Sequence, residues 1–101
     1  MNLYELPVLP LDEEFLECLF EDERIRVERI VSTGQTSDWY DQDENELVFL
    51  IEGEAKLEFA GGRIERMQKG DFREIIAHEK HRVVDTSIKP PCIWLCIFYR
   101  Q

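Results

Sequence analysis

The sequence GQTSDWYDQDENELVFLIEG, residues 34–53, decides the fold, because an aromatic and acidic loop leads there into five consecutive apolar residues, 47–51. A run of five is the length of a strand rather than of a helix, and Val, Phe and Ile favour strands. Glu52-Gly53-Glu54 can turn the chain, and residues 55–59 then alternate apolar and charged side chains. Strand, glycine turn and strand together predict a β-hairpin.

Short strand-like segments continue this pattern to the end of the chain. Gly61-Gly62, residues 68–71 and Pro90-Pro91 mark turns between them. Roughly seven or eight short strands, with turns every 8–12 residues or so, predict an antiparallel sandwich or barrel. The expected strands after the hairpin are residues 63–67, 72–76, 81–85 and 92–99, of which the last is the most apolar.

The N-terminal part is predicted to be an extended arm followed by an element of ambiguous type. Pro7 and Pro10 favour extended backbone, and the apolar residues around them need an open end of the barrel or a second subunit to cover them. Residues 12–20 fit either a short helix or a strand that pairs back onto residues 24–32. In that strand-like stretch the alternation breaks at Ile30-Val31, where both faces are buried or a bulge occurs. A chain of 101 residues makes one domain, with residues 1–23 as arm and first element and 24–101 as barrel.

Composition excludes several classes of function. The net charge is −10, from 22 acidic and 12 basic residues, so nucleic acid is not an expected partner. No apolar run approaches the ~20 residues that span a bilayer, and the first residues lack the basic start and apolar core of a secretion signal. Three cysteines are an odd number, which favours reduced thiols and a cytoplasmic location.

Two blocks of the chain resemble the motifs of the cupin family. The first has Gly34, Tyr40, Gln42, Glu46 and Gly53 at the spacing Gly-x5-His-x-His-x3,4-Glu-x6-Gly of that family. The second, at the spacing Gly-x5-Pro-x-Gly-x2-His-x3-Asn, consists of Gly70, Ile76, His78, His81 and Asp85. The resemblance covers residues 24–100 and implies an all-β fold, a cupin jelly-roll barrel of antiparallel strands around a cavity.

The family motifs also imply a divalent metal ion, but this chain departs from them. Tyr40 and Gln42 stand where the family has two histidine ligands, whereas Glu46 and His81 stand unchanged. In the second motif Ile76, His78 and Asp85 replace Pro, Gly and Asn. The resemblance therefore predicts the fold more firmly than it predicts a metal enzyme.

Strand alternation indicates which of these side chains share a face. Tyr40, Gln42 and Glu46 have the same parity, and His81 shares its own with Val83 and Asp85. If the two strands are neighbours, Gln42, Glu46 and His81 converge as ligands of Zn²⁺, Mn²⁺, Fe²⁺ or Ni²⁺. Tyr40 then gives a weak fourth ligand or a hydrogen bond, and His78 a second imidazole at the rim of the cavity. The alternative is that these side chains only pack and hydrogen-bond.

Three functions remain open on the sequence alone. The chain is a metal-binding cupin acting on a small molecule, a cupin without metal that binds a ligand and does not catalyse, or an interaction module. The fold does not choose between enzyme and binding protein, or among the isomerase, dioxygenase and decarboxylase chemistries that it supports. A homodimer is expected, since so short a barrel buries little surface alone.

Overall fold

The fold consists of eight strands without a helix in residues 1–100, the part of the chain that the computed structural model describes. No segment in this part forms a helix of the length and apolarity that crossing a membrane requires. The strands confirm the predicted all-β jelly-roll. They are β1 (Phe15–Glu21), β2 (Ile25–Ser32), β3 (Asn45–Glu52), β4 (Glu54–Phe59), β5 (Arg63–Gln68), β6 (Phe72–Ile75), β7 (His81–Thr86) and β8 (Cys92–Tyr99).

Two antiparallel sheets enclose the core. One has five strands in the order β1-β2-β8-β3-β6, and the other has three in the order β5-β4-β7. The apolar strand β8 lies at the centre of the larger sheet, between β2 and β3. Its inward side chains Trp94, Cys96 and Phe98 pack with Val48 and Leu50 of β3 and with the inner face of β4. This core positions one polar cluster, which lies between the sheets.

The predicted hairpin at Gly53 is wrong, because β3 and β4 belong to different sheets. Gly53 is instead the corner at which the chain passes from one sheet to the other. Its φ is +95°, and a Cβ there would lie 2.7 Å from the Pro91 carbonyl oxygen and 2.8 Å from Cys92 Cα. Only glycine combines that backbone angle with so close an approach. The hairpin of this region is β4–β5, which turns through Gly61-Gly62.

Residues 15–21 form a strand, so the strand alternative holds for the ambiguous N-terminal element. β1 pairs antiparallel with β2, with a register shift between Cys18 and Phe20. β2 itself pairs with β8 without interruption from Ile25 to Ser32. The break in alternation at Ile30-Val31 therefore reflects burial on both faces rather than a bulge in β2.

The N-terminal arm is held against the outside of the larger sheet. Arg29, which is nearly fully buried, donates hydrogen bonds to the carbonyl oxygens of Leu3 at 2.9 Å and Glu5 at 2.6 Å. Its second terminal nitrogen lies 2.5 Å from Glu17 of β1. The Tyr4 hydroxyl donates to the Ile51 carbonyl oxygen at 3.2 Å. The arm thus covers part of this face, and no second subunit is needed to hold it.

The predicted shared face of His81, Val83 and Asp85 is only partly right. Lys56 pairs with Asp85 while its neighbour Leu57 pairs with Val83, so Val84 is an extra residue in β7. A bulge of this kind shifts the alternation by one position. As a result Asp85 is exposed, whereas His81 and Thr86 are buried.

Candidate functional site

A cavity of about 100 Å³ lies between the two sheets. Most of its wall is apolar, from inward side chains of β2, β3, β4, β7 and β8. Its polar lining contains three carboxylates, one imidazole, one amide and one phenol. These groups belong to Glu14, Glu28, Glu46, His81, Gln42 and Tyr40.

Glu46 and His81 face each other across this cavity from different sheets. Glu46 comes from β3 and His81 from the start of β7. Glu46 Oε1 lies 3.9 Å from His81 Nε2, and the two side chains are only 7% and 5% exposed. That distance is too long for a hydrogen bond, so the pair leaves a gap that a polar atom of a ligand could bridge.

The tautomer of His81 follows from its surroundings. Its Nδ1 lies 2.9 Å from the backbone oxygen of Glu79, which can only accept, so Nδ1 carries the proton when the ring is neutral. Nε2 then presents a lone pair to the cavity. Tyr40 fixes the start of the strand, because the two residues exchange backbone hydrogen bonds of 2.7 and 3.2 Å and their ring centroids lie 5.3 Å apart.

Gln42 also contacts this pair, through Glu46. Its Nε2 donates to Glu46 Oε1 at 3.2 Å. Burial raises the pKa of the Glu46 carboxyl, and contacts with the Cys96 thiol and the Gln42 amide, together with the charge of His81, only partly oppose the rise. A carboxyl of this kind can exchange a proton with a bound ligand.

Of the two predicted residues beside the metal ligands, Tyr40 lines the cavity and His78 does not. Burial raises the pKa of the Tyr40 phenol, which is still partly exposed at the mouth. The His78 side chain is two-thirds exposed and lies 2.8 Å from Asp41 through Nδ1. His78 has a positive φ of 65°, which explains why the family motif has glycine at this position. Its role is to join two loops, since its backbone N–H donates to the Gln42 carbonyl oxygen.

Sequence reasoning missed several residues of the cavity, notably Glu14, Glu28, Trp94 and Cys96. Glu28 pairs with Cys96, which in turn pairs with Val48, so these residues form one row across the larger sheet. The alternation of β2 was visible in the sequence, whereas β8 is apolar throughout and gives no such signal. The order β2-β8-β3 was not visible, and it is this order that brings Glu28 toward Glu46.

The side chains of this cluster offer fewer strong metal ligands than the residues of the family motif do. Glu46 and His81 can supply one strong ligand each. Gln42 offers a weaker amide oxygen and would have to turn its side chain, because its nitrogen now faces Glu46. Within residues 1–100 no three His, Cys, Asp or Glu side chains are placed to hold a metal together. The site therefore has two strong donors and one weak donor.

Comparison with known proteins places this chain in a family. The model of the cupin domain family matches residues 27–98. A search of curated proteins finds no match. Among solved structures, a candidate mannose-6-phosphate isomerase from Ralstonia eutropha JMP134 is 31% identical, with a TM-score of 0.93 over 100% of this chain and 97% of the other.

Two more distant structures share the fold alone. A cupin superfamily protein from Desulfitobacterium hafniense DCB-2 is 14% identical, with a TM-score of 0.81 over 94% of this chain and 84% of the other. A DMSP lyase from Ruegeria pomeroyi DSS-3 is 16% identical, with a TM-score of 0.77 over 89% of this chain and 48% of the other. The fold, the motif spacing and the family match agree, and the chain belongs to the cupin domain family.

Proposed function

We propose that this cupin binds a small organic molecule inside the barrel and contacts it through Glu46 and His81. The observation that carries the proposal is the gap of 3.9 Å between Glu46 Oε1 and His81 Nε2, two buried groups that share one cavity. An apolar pocket with a few converging polar groups is the usual form of a small-molecule site. Binding without turnover and binding with proton transfer by Glu46 are both compatible with this geometry.

Mannose-6-phosphate isomerisation, the activity attributed to the relative from Ralstonia eutropha, does not transfer easily to this cavity. A phosphate monoester carries a charge of about −1.5 to −2 at neutral pH. No Lys or Arg in residues 1–100 lines the cavity, whereas three carboxylates do. Charge therefore disfavours a sugar phosphate here, and the ligand we propose is not one.

A ligand screen by thermal denaturation tests this proposal. Small molecules that fit the cavity should raise the Tm of the wild type, because a ligand that binds only the folded state stabilises it. His81→Ala should abolish these shifts. His78→Ala is the matched control, since the other histidine lies outside the cavity and its variant should respond like the wild type. Shifts that persist in His81→Ala would contradict the site.

A divalent metal ion is the second candidate for the same cluster, with Gln42, Glu46 and His81 as its ligands. The observation in its favour is the bond from His81 Nδ1–H to the Glu79 backbone oxygen, because metal-binding histidines are commonly oriented in this way. Bound there, Zn²⁺, Mn²⁺, Fe²⁺ or Ni²⁺ would polarise an oxygen of the ligand. Ligation needs a neutral imidazole, so metal affinity should weaken in acid.

Calorimetric titration with these four ions separates the candidates. A metal site predicts binding by the wild type, loss of most of the affinity in His81→Ala, and tighter Zn²⁺ or Fe²⁺ binding in Gln42→His, which restores one histidine of the family motif. No uptake by the wild type and no gain in Gln42→His would exclude the metal and leave the organic ligand.

We also propose that two copies of the chain associate through the outer face of the larger sheet. The paired residues Val27, Ile97 and Leu47 form one row on this face, and Leu95, Phe49 and Phe72 belong to the next. Phe72 is mostly exposed and stacks on Phe49 with 5.5 Å between ring centroids. A contiguous apolar face of this kind supports a protein contact rather than a solvated surface.

A further inference from the structure

The cavity is rich in negative charge and short of positive charge. Its lining includes Glu14, Glu28 and Glu46, and within residues 1–100 it includes no Lys or Arg. One guanidinium behind the cavity wall belongs to Arg26, which lies 4.2 Å over the ring of Phe98, a lining residue. Arg26 forms ion pairs with two carboxylates, Glu28 at 3.0 Å and Glu44 at 2.8 Å, so its single positive charge neutralises only part of their negative charge. Within residues 1–100, Glu14 and Glu46 form no ion pair with a Lys or Arg.

His81 is a second, independent observation that points to a ligand in this cavity. The side chain is almost fully buried and lines the cavity, yet its Nε2 makes no hydrogen bond within the described part of the chain. Because Nδ1 is the protonated nitrogen, Nε2 can only accept. The facing oxygen of Glu46 is also an acceptor when the carboxyl is ionised. Gln42 Nε2 already donates to this oxygen of Glu46 at 3.2 Å, whereas no group in residues 1–100 donates to His81 Nε2. A ligand nitrogen about 2.8–3.0 Å from each acceptor can donate to both, since the two lie 3.9 Å apart and a carboxylate oxygen accepts more than one hydrogen bond.

The mouth of the cavity has the same charge as its interior. Glu14 and Tyr40 line both the cavity and an adjoining surface groove. The other charged residues of this groove are Asp12, Glu13 and Asp38, all acidic. Clefts lined by one sign of charge concentrate ligands of the opposite sign, so the groove favours the approach of a cation.

The wall and the volume of the cavity limit the polarity and the size of the rest of the ligand. The wall is mostly apolar and includes the ring of Trp94, and tryptophan is the side chain that best attracts a cation to its face. A volume of about 100 Å³ lies well below the ~300–1,000 Å³ of pockets that take drug-sized ligands. The ligand is therefore small, with an apolar chain and one charged end.

We infer that the cavity takes a small protonated amine with an apolar body, whose ammonium group donates to Glu46 and to His81 Nε2. This inference rests on the small-molecule function proposed above and names the class of ligand. A positive charge beside Glu46 also stabilises its ionised form. Burial without such a partner raises the pKa of the Glu46 and Glu14 carboxyls in the free protein.

Fluorescence of Trp94 can test this directly in a Trp39→Phe background. The chain has two tryptophans, and Trp39 is exposed and does not line the cavity. The probes are isoamylamine and its two near-isosteres, isoamyl alcohol and isovalerate, with tetramethylammonium as a cation that lacks N–H donors. We expect saturable binding of isoamylamine, and binding at least about 10-fold weaker for the other three, because a hydrogen bond to a charged group contributes about 1.5–3 kcal/mol.

Two variants locate the binding. Glu46→Gln should weaken isoamylamine binding roughly 10- to 100-fold, and Glu14→Gln at the mouth should weaken it severalfold. Glu54→Gln is the control, since Glu54 is an exposed glutamate on β4 away from the cavity. The three substitutions replace a carboxylate by an amide of the same shape, so differences among them report charge.

The outcomes separate this inference from the proposed function. If the alcohol or isovalerate binds as tightly as the amine, the cavity binds small molecules and the amine class is wrong. If tetramethylammonium binds as tightly as the amine, the ligand does not depend on hydrogen bonds to Glu46 and His81, and the inference is wrong. If none of the four probes changes Trp94 emission and none raises the Tm, both the inference and the proposed function fail.

Discussion

At the scale of single residues, Glu46 and His81 are the part of the site that the sequence could indicate. Their motif spacing predicted that they converge with Gln42, and in the structure Glu46 of β3 and His81 of β7 line one cavity from different sheets. Glu14, Glu28 and Cys96 carry no such signal, because they approach Glu46 only through strand pairings between distant segments. The exclusion of His78 from the cavity depends on the direction of one loop, which spacing does not determine.

Glu46 should reduce the stability of the ligand-free fold at neutral pH. Its folded-state pKa lies above the ordinary value of 4.5 because of burial, so the folded protein binds more protons than the unfolded chain above that pH. The free energy of unfolding is therefore highest while the Glu46 carboxyl is protonated, and it falls as the pH rises from about 4.5 through the folded-state pKa. Glu46→Gln removes this loss and keeps an oxygen that accepts from Gln42.

Urea denaturation as a function of pH measures the effect. The gain in free energy of unfolding from Glu46→Gln should be small below pH 4.5 and should increase toward pH 7. Glu54→Gln, at an exposed site, should give no such increase. A Glu46→Gln variant that is less stable than the wild type at pH 7 would refute the burial of an unfavourable charge.

At the scale of elements, most strands could be predicted from apolar alternation and glycine turns, but apart from the pairing of β1 with β2 their partners could not. A glycine turn between two strands predicts a hairpin, and the same signal occurs at the corner between β3 and β4. What distinguishes the two is the backbone of Pro91 and Cys92, which packs on Gly53 from a distant part of the chain. The bulge at Val84, which moves Asp85 to the surface, likewise appears only once β7 is paired with β4.

Gly53→Ala should destabilise the fold much more than Gly62→Ala. Both residues have a positive φ, which costs about 1–2 kcal/mol for any other residue. A Cβ at Gly62 meets open space, whereas at Gly53 it would clash with Pro91 and Cys92, and overpacking adds about 1–3 kcal/mol. Chemical denaturation should therefore give losses of about 1–2 kcal/mol for Gly62→Ala and about 2–5 kcal/mol for Gly53→Ala. Equal losses would show that the corner tolerates a side chain.

At the scale of the whole molecule, the two faces of the larger sheet make different contacts. The inner face forms the core and the cavity, while the outer face is divided between the N-terminal arm and an apolar area around Phe49 and Phe72. From the sequence, the apolar residues that need a covering surface were expected mainly in the N-terminal arm. Arg29 holds the arm in place within the same chain, so the dimer that we propose depends on the uncovered strands instead.

Light scattering at micromolar concentration should find a dimer of the 12.1 kDa chain. The double substitution Phe49→Ser and Phe72→Ser should give monomers, because it removes the stacked pair from the proposed interface. Ile64→Ser is the control, since Ile64 is about half exposed on β5 of the other sheet. A wild type that remains monomeric at these concentrations would contradict the interface.

The decisive measurement is a long-range ¹H–¹⁵N NMR spectrum of the two imidazoles, recorded before and after addition of isoamylamine. His81 is buried in the cavity and His78 is exposed outside it, so one molecule contains both the probe and its control. We expect His81 to be protonated on Nδ1 with a free Nε2, and its Nε2 signal to move on titration while both signals of His78 stay. A proton on Nε2 of His81, or a titration that moves His78 alone, would show that Glu46 and His81 do not form a ligand site.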